Sequence, residues 1–113
     1  MTFEPFDVIV VPFPFTDRLA SKRRPALVLS NSETFNAPSG HVVLAMITTA
    51  KDSNWPLDTP ISDLEAAGLI EASVVRMKLF TLDARLILRQ AGALTDRDSR
   101  RVSAALRRLF AAN

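Results

Sequence analysis

The sequence predicts a small α+β fold, mainly β: a strongly curled antiparallel sheet or SH3-like barrel with one C-terminal helix. Three observations carry this expectation. About five short apolar runs alternate with polar stretches, the spacing of strands and turns. Seven prolines and three glycines favour strands and corners over a helical bundle. The longest helical pattern is confined to the end of the chain. At 113 residues, 48% of them hydrophobic and 23% charged, the chain can bury a core but has room for one domain only, residues 1–113.

The elements follow in order. Residues 7–12 are rich in valine and isoleucine and read as a strand; Pro12 and Pro14 have no N–H to donate, so pairing should end there. Residues 16–23 are a polar surface loop, and 25–30 a second strand. Residues 31–40 hold Asn, Ser, Pro and Gly without periodicity and read as loop. Residues 41–48 are almost continuously apolar, as in a central strand covered on both faces. Residues 51–60 read as a loop with a short edge strand near 59–61. Ser62-Asp63-Leu64-Glu65 has the pattern of a capping box opening a short helix, and Gly68 is placed to end it. A fourth strand spans 73–79, a turn 81–84, and a fifth strand 86–90, with Gly92 breaking it. Thr95-Asp96-Arg97-Asp98 caps the last helix, whose Val102, Leu106, Leu109 and Phe110 form one apolar stripe for docking on the sheet.

Composition excludes several classes of function. The chain has no cysteine, so disulfides and thiolate metal sites are excluded, and a reducing cytoplasm fits. No apolar run approaches the roughly 20 residues that span a bilayer. Met1-Thr2-Phe3-Glu4-Pro5 lacks the cationic start and apolar core of a signal peptide. A soluble cytoplasmic protein with no membrane association is the expectation. The formal charge of +2 is unevenly spread: Arg85, Arg89, Arg97, Arg100, Arg101, Arg107 and Arg108 crowd the last third, while Asp58, Asp63, Glu65 and Glu71 lie in the middle. This asymmetry fits a polyanionic partner or, more simply, a solvated arginine-rich helix face.

Catalytic side chains are scarce. With one histidine, His41, and neither cysteine nor tyrosine, a His/Cys metal set or a Cys–His nucleophile pair is impossible. Arginine, threonine, serine and carboxylates remain. Such a set can still cleave RNA, because the 2′-hydroxyl is the nucleophile and the protein need only bend the strand, neutralise charge and manage protons. Lys22, Arg23 and Arg24 gather at the start of the second strand, and Pro25 pushes Arg24 to extended geometry. Arg24 suits a phosphate through its planar fork, or equally a surface ion pair. Thr48 and Thr49 end the third strand, where hydroxyls serve a phosphate or a turn. Arg76 and Lys78 alternate with Val75, Met77 and Leu79, placing two cations on one face. Phe13, Phe15 and Trp55 are either base-stacking surfaces or packing residues, with packing favoured for Phe13.

Three blocks resemble one family. They are Asp7-Val-Ile-Val-Val-Pro-Phe-Pro-Phe-Thr-Asp17 followed by Arg24-Pro25-Ala26-Leu27-Val28, Ile47-Thr48-Thr49, and Ser73-Val74-Val75-Arg76 with Lys78-Leu79-Phe80-Thr81-Leu82-Asp83. In this order they resemble the PemK/MazF toxins, the ribonuclease half of a toxin–antitoxin pair. The resemblance implies a single toxin domain over 1–113 with the CcdB/PemK-type barrel. It implies a homodimer with a groove for single-stranded RNA, and sequence-selective, metal-independent cleavage without a cofactor, leaving a 2′,3′-cyclic phosphate and a 5′-hydroxyl. It also implies a cognate antitoxin whose disordered tail blocks the groove.

By position, the resemblance makes Arg24 and Thr48 the catalytic pair on the scissile phosphate. It makes Arg76 an acid or phosphate ligand. The loop from Asp17 to Lys22 becomes the one that shapes RNA specificity, and Asp17, Lys22, Arg23, Thr49, Arg76 and Lys78 complete the substrate-binding set. Two positions depart from the pattern: Phe6 stands where a glycine usually precedes the first aspartate, and Lys78 where members often carry an aspartate. The alternative is a non-enzymatic toxin or binding module of the same fold. One form is a catalytically inert relative. The other is a CcdB-like gyrase inhibitor, disfavoured because Leu109-Phe110-Ala111-Ala112-Asn113 carries no Trp-Gly-Ile tail.

Overall fold

A computed structural model describes residues 2–15, 22–51 and 53–111. Six antiparallel strands form one curled sheet: β1 (Asp7–Phe13), β2 (Lys22–Val28), β3 (His41–Thr49), β4 (Thr59–Pro60), β5 (Ser73–Asp83) and β6 (Arg89–Ala93), in the order β4-β5-β3-β2-β1-β6. The central strands are apolar on both faces because each face meets a core. In β1, Val8 enters one core and Ile9 and Val11 the other; in β2, Leu27 opposes Ala26 and Val28; in β3, Ala45 and Ile47 oppose Leu44 and Met46. The C-terminal helix α3 (Asp96–Leu109) covers the first core with Val102 and Ala105. The second core is closed by the curl of the sheet together with Phe3, Leu82 and Ile87. Each fully buried Val, Leu or Ile contributes roughly 1.5–3 kcal/mol, so these interlocked strands fix the frame of the molecule.

Several boundaries differ from the sequence reading, each for a tertiary reason. β2 starts at Lys22, not Pro25, because residues 22–24 pair with Phe13, Pro12 and Val11 of β1. β5 runs through Thr81, read as a turn, to Asp83, because β3 pairs along its length down to His41↔Asp83; the turn comes next, as a 3₁₀ segment Ala84–Leu86. Residues 31–40, read as loop, form a π-helical turn Ser32–Asn36 and the helical turn α1 (Ala37–Ser39). Asn31 caps the π turn by accepting from the N–H groups of Glu33 and Thr34, while buried Asn36 donates to the carbonyls of Phe3 and Ser30. Two turns are too short to show periodicity.

The short helix α2 (Leu64–Ala67) is present and ends at left-handed Gly68, but its cap is Asp63, which accepts from Ala66 N–H. Ser62 is engaged elsewhere, by Asp98. Gly92 lies inside β6 rather than ending the fifth strand. A β-bulge occurs there, and the missing side chain admits the α2 backbone: a Cβ on Gly92 would sit 2.3 Å from the Ala66 carbonyl oxygen. The stripe on α3 docks only in part. Val102 is buried and Leu106 half-buried, but Leu109 and Phe110 are 38% and 57% exposed.

Candidate functional site

A groove of about 460 Å³ opens beside the second core. Its floor is apolar, from Met46 on β3, Phe80 on β5 and Phe15, whose ring packs 4.6 Å from that of Phe80. Four polar side chains from three strands surround it: Arg24, Thr48, Arg76 and Lys78. The sheet register explains their meeting. β2 and β3 pair antiparallel up to Ala26↔Met46, and Arg24 and Thr48 each lie two residues beyond that pair on their own strand, so both reach the groove. β3 pairs with β5 as Met46↔Arg76, next to a bulge containing Met77 and Lys78. Met77 turns into the first core while Arg76 and Lys78 face the groove, as their alternation in sequence predicts.

Half-buried Arg24 lies with its guanidinium carbon 5.3 Å from the Phe13 ring centroid. Among the described residues it forms no ion pair with a carboxylate. Phe13 is not a core residue: it is 37% exposed and forms part of the groove wall, in edge contact with Phe15. A second depression of about 320 Å³ shares Arg24 and Thr48 and continues past Thr49 to Ile70, which is 97% exposed. The two depressions thus flank the Arg24–Thr48 pair, the first also lined by Arg76 and Lys78 and the second by Glu71.

Of the other expected site residues, Lys22 and Arg23 stand exposed at the start of β2 and are absent from the groove lining. Asp17, with most of the 17–22 loop, lies outside the described residues. His41 opens β3 seven residues before Thr48, roughly 23 Å away along an extended strand, with its ring on the Ser39 carbonyl. Among the described residues no three His, Cys, Asp or Glu side chains cluster so as to hold a metal ion.

The sequence reading missed Asp58. Its carboxylate grips Arg76 with two hydrogen bonds, Nε to Oδ1 at 3.2 Å and Nη2 to Oδ2 at 2.8 Å, and also accepts from the Ser53 hydroxyl. Burial pushes the Asp58 carboxyl up, but the bonds from Arg76 and Ser53 outweigh it and hold the group below its ordinary value; the bonds to Asp58 in turn raise Arg76. Trp55 completes this corner. Its ring lies 5.6 Å from the Arg76 guanidinium and 4.9 Å from Lys78 Nζ, so it is a plate for two cations. No local signal tied Asp58 to Arg76, 18 residues away.

The fold matches that of a known group of proteins. The family profile of the PemK-like, MazF-like toxin of type II toxin–antitoxin systems matches residues 4–110. Among solved structures, the chain superposes on MazF in a MazE–MazF crystal structure from Deinococcus radiodurans with a TM-score of 0.77 and 18% identity, covering 100% of this chain and 99% of that one. The Mycobacterium tuberculosis toxin MazF-mt6 gives a TM-score of 0.71 at 22% identity over 95% of this chain and 98% of that one. An endoribonuclease in complex with its cognate antitoxin from a mycobacterial species gives 0.69 at 19% identity over 93% and 89%. No curated protein matches the sequence. The chain belongs to the PemK/MazF family of type II toxin–antitoxin toxins, a family of endoribonucleases.

Proposed function

We propose that this protein is a sequence-selective endoribonuclease toxin that cleaves single-stranded RNA without a metal ion. The observation that carries this reading is the convergence of Arg24 and Thr48 from neighbouring strands on one groove, with Arg76 and Lys78 beside them, in a chain of this family. In the reaction, the RNA 2′-hydroxyl attacks the adjacent phosphorus and the 5′-oxygen leaves, giving a 2′,3′-cyclic phosphate and a 5′-hydroxyl. Arg24 places its fork on the non-bridging oxygens and stabilises the charge that gathers on them. The Thr48 hydroxyl donates to the same phosphate. Arg76 and Lys78 hold neighbouring phosphates, and the exposed face of Phe13 stacks on a base. As the family relationship implies, the working form is a homodimer, and a cognate antitoxin silences it by covering the groove.

The test is incubation of long single-stranded RNA with the protein in EDTA. Wild type cuts at a recurring short sequence, and mass spectrometry finds cyclic phosphate ends. Arg24→Ala and Thr48→Ala each slow cleavage by about 10²–10³ while the melting curve stays within a few degrees. Intact RNA with a folded wild-type protein would instead favour a non-catalytic binder of the same fold.

A further inference from the structure

Asp58 immediately precedes β4, and β4 pairs with β5 as Thr59↔Val75. Continuing that register by one residue sets Asp58 across from Arg76, so the fold itself delivers the carboxylate to the guanidinium. The pair is largely withdrawn from water, with side-chain exposures of 7% for Asp58 and 21% for Arg76. The hold occupies Nε and Nη2, and Nη1 takes no part in it. Trp55 lies against the guanidinium, and the Ser53 hydroxyl holds the carboxylate. A long, flexible arginine is thereby fixed in one orientation on the wall of the groove that also contains Arg24 and Thr48.

We propose that Asp58 is a positioning residue: it fixes Arg76 so that the guanidinium edge carrying Nη1 meets an RNA phosphate. This rests on the ribonuclease reading above and assigns to the loop before β4 a part in the reaction. Arg76 touches the substrate; Asp58 acts only through it. Arginine has five N–H donors, so it can serve a carboxylate and a phosphate at once. A fork fixed before substrate arrives loses less freedom on binding and keeps the strand in register with Arg24.

The test is a double-mutant cycle read by single-turnover cleavage at saturating enzyme, on an RNA oligonucleotide carrying the mapped cleavage sequence. The proteins are wild type, Asp58→Asn, Arg76→Ala, the double variant and Arg24→Ala, each with a melting curve. Asp58→Asn presents an amide to Arg76 and is expected to slow cleavage about tenfold in the wild-type background. On top of Arg76→Ala it is expected to change the rate less than about twofold, because its target is gone. Asp58→Ala is run in parallel in case the amide misfolds the loop. Equal slowing in both backgrounds would show a loop tether only and overturn the proposal, as would no slowing in the first. Intact RNA with wild type would remove the ribonuclease reading and this proposal together; cleavage abolished by Arg24→Ala but untouched at position 58 would remove this proposal alone.

Discussion

Asp98 is the most deeply buried charge among the described residues, 1% exposed, yet it lies outside the groove. It sits in the first turn of α3, where Thr95 caps its N–H, and its carboxylate accepts from Ser62 N–H, the Ser62 hydroxyl and Asp63 N–H. One side chain therefore ties the start of α2 to the start of α3. Burial works against the charge, but the bonds from Ser62 and Asp63 prevail and the carboxyl lies below its ordinary value. A depressed folded value means stability that is present above the unfolded value of about 3.9 and lost as pH falls through the folded one. Asp98→Ala should cost about 2–4 kcal/mol in urea unfolding at pH 7, since it strands buried donors. The gap to wild type should narrow below about pH 4; a gap unchanged down to pH 2 would sink this account.

At the scale of elements, the groove depends on strands that outrun their apolar patterns. β2 gains residues 22–24 by pairing with β1, which puts Arg24 on a strand rather than a loop. β6 and α2 are held together by two glycines. A Cβ on Gly68 would lie 2.1 Å from the Ala91 carbonyl oxygen, and the residue is also left-handed, at φ 74°. Gly92 has the reciprocal contact with α2. Gly92→Ala should destabilise by about 1–3 kcal/mol in urea unfolding without moving the groove, so RNA cleavage below the melting temperature should stay near wild type. A variant of full stability would show that α2 can retreat.

For the whole molecule, charge position matters more than net charge. Five of the arginines in the last third, Arg97, Arg100, Arg101, Arg107 and Arg108, belong to α3, which covers the first core, whereas the groove floor is the margin of the second. Asp58 neutralises part of the groove, leaving Arg24 and Lys78 without a carboxylate partner among the described residues. If Arg24, Arg76 and Lys78 each meet a phosphate, the affinity for a single-stranded RNA carrying a 2′-deoxy nucleotide at the cut should fall with salt at a log–log slope of about −2. Replacing Arg24 with Ala should flatten the slope by about 0.7. An Arg107→Gln, Arg108→Gln double variant should leave it unchanged, and a flatter slope there would put α3 in the RNA path.

Much of the fold is legible in local patterns along the chain. Apolar runs marked β1 and β3, and period-two alternation most of β5; Thr95 and Gly68 marked helix ends; alternation put Arg76 and Lys78 on one face, whereas Arg24 and Thr48 each admitted two readings from the residues alone, and it is the family resemblance that names them. These are local signals, expressed within a few residues. Four features emerge only in the folded chain: Asp58 holds Arg76, Asp98 holds Ser62, Gly92 lies within a strand, and Phe13 belongs to the groove rather than the core. Each of these joins residues far apart in the chain, through sheet register and close backbone approach. Such contacts exist only once the curled sheet has brought its strands together, and no short window of sequence encodes them.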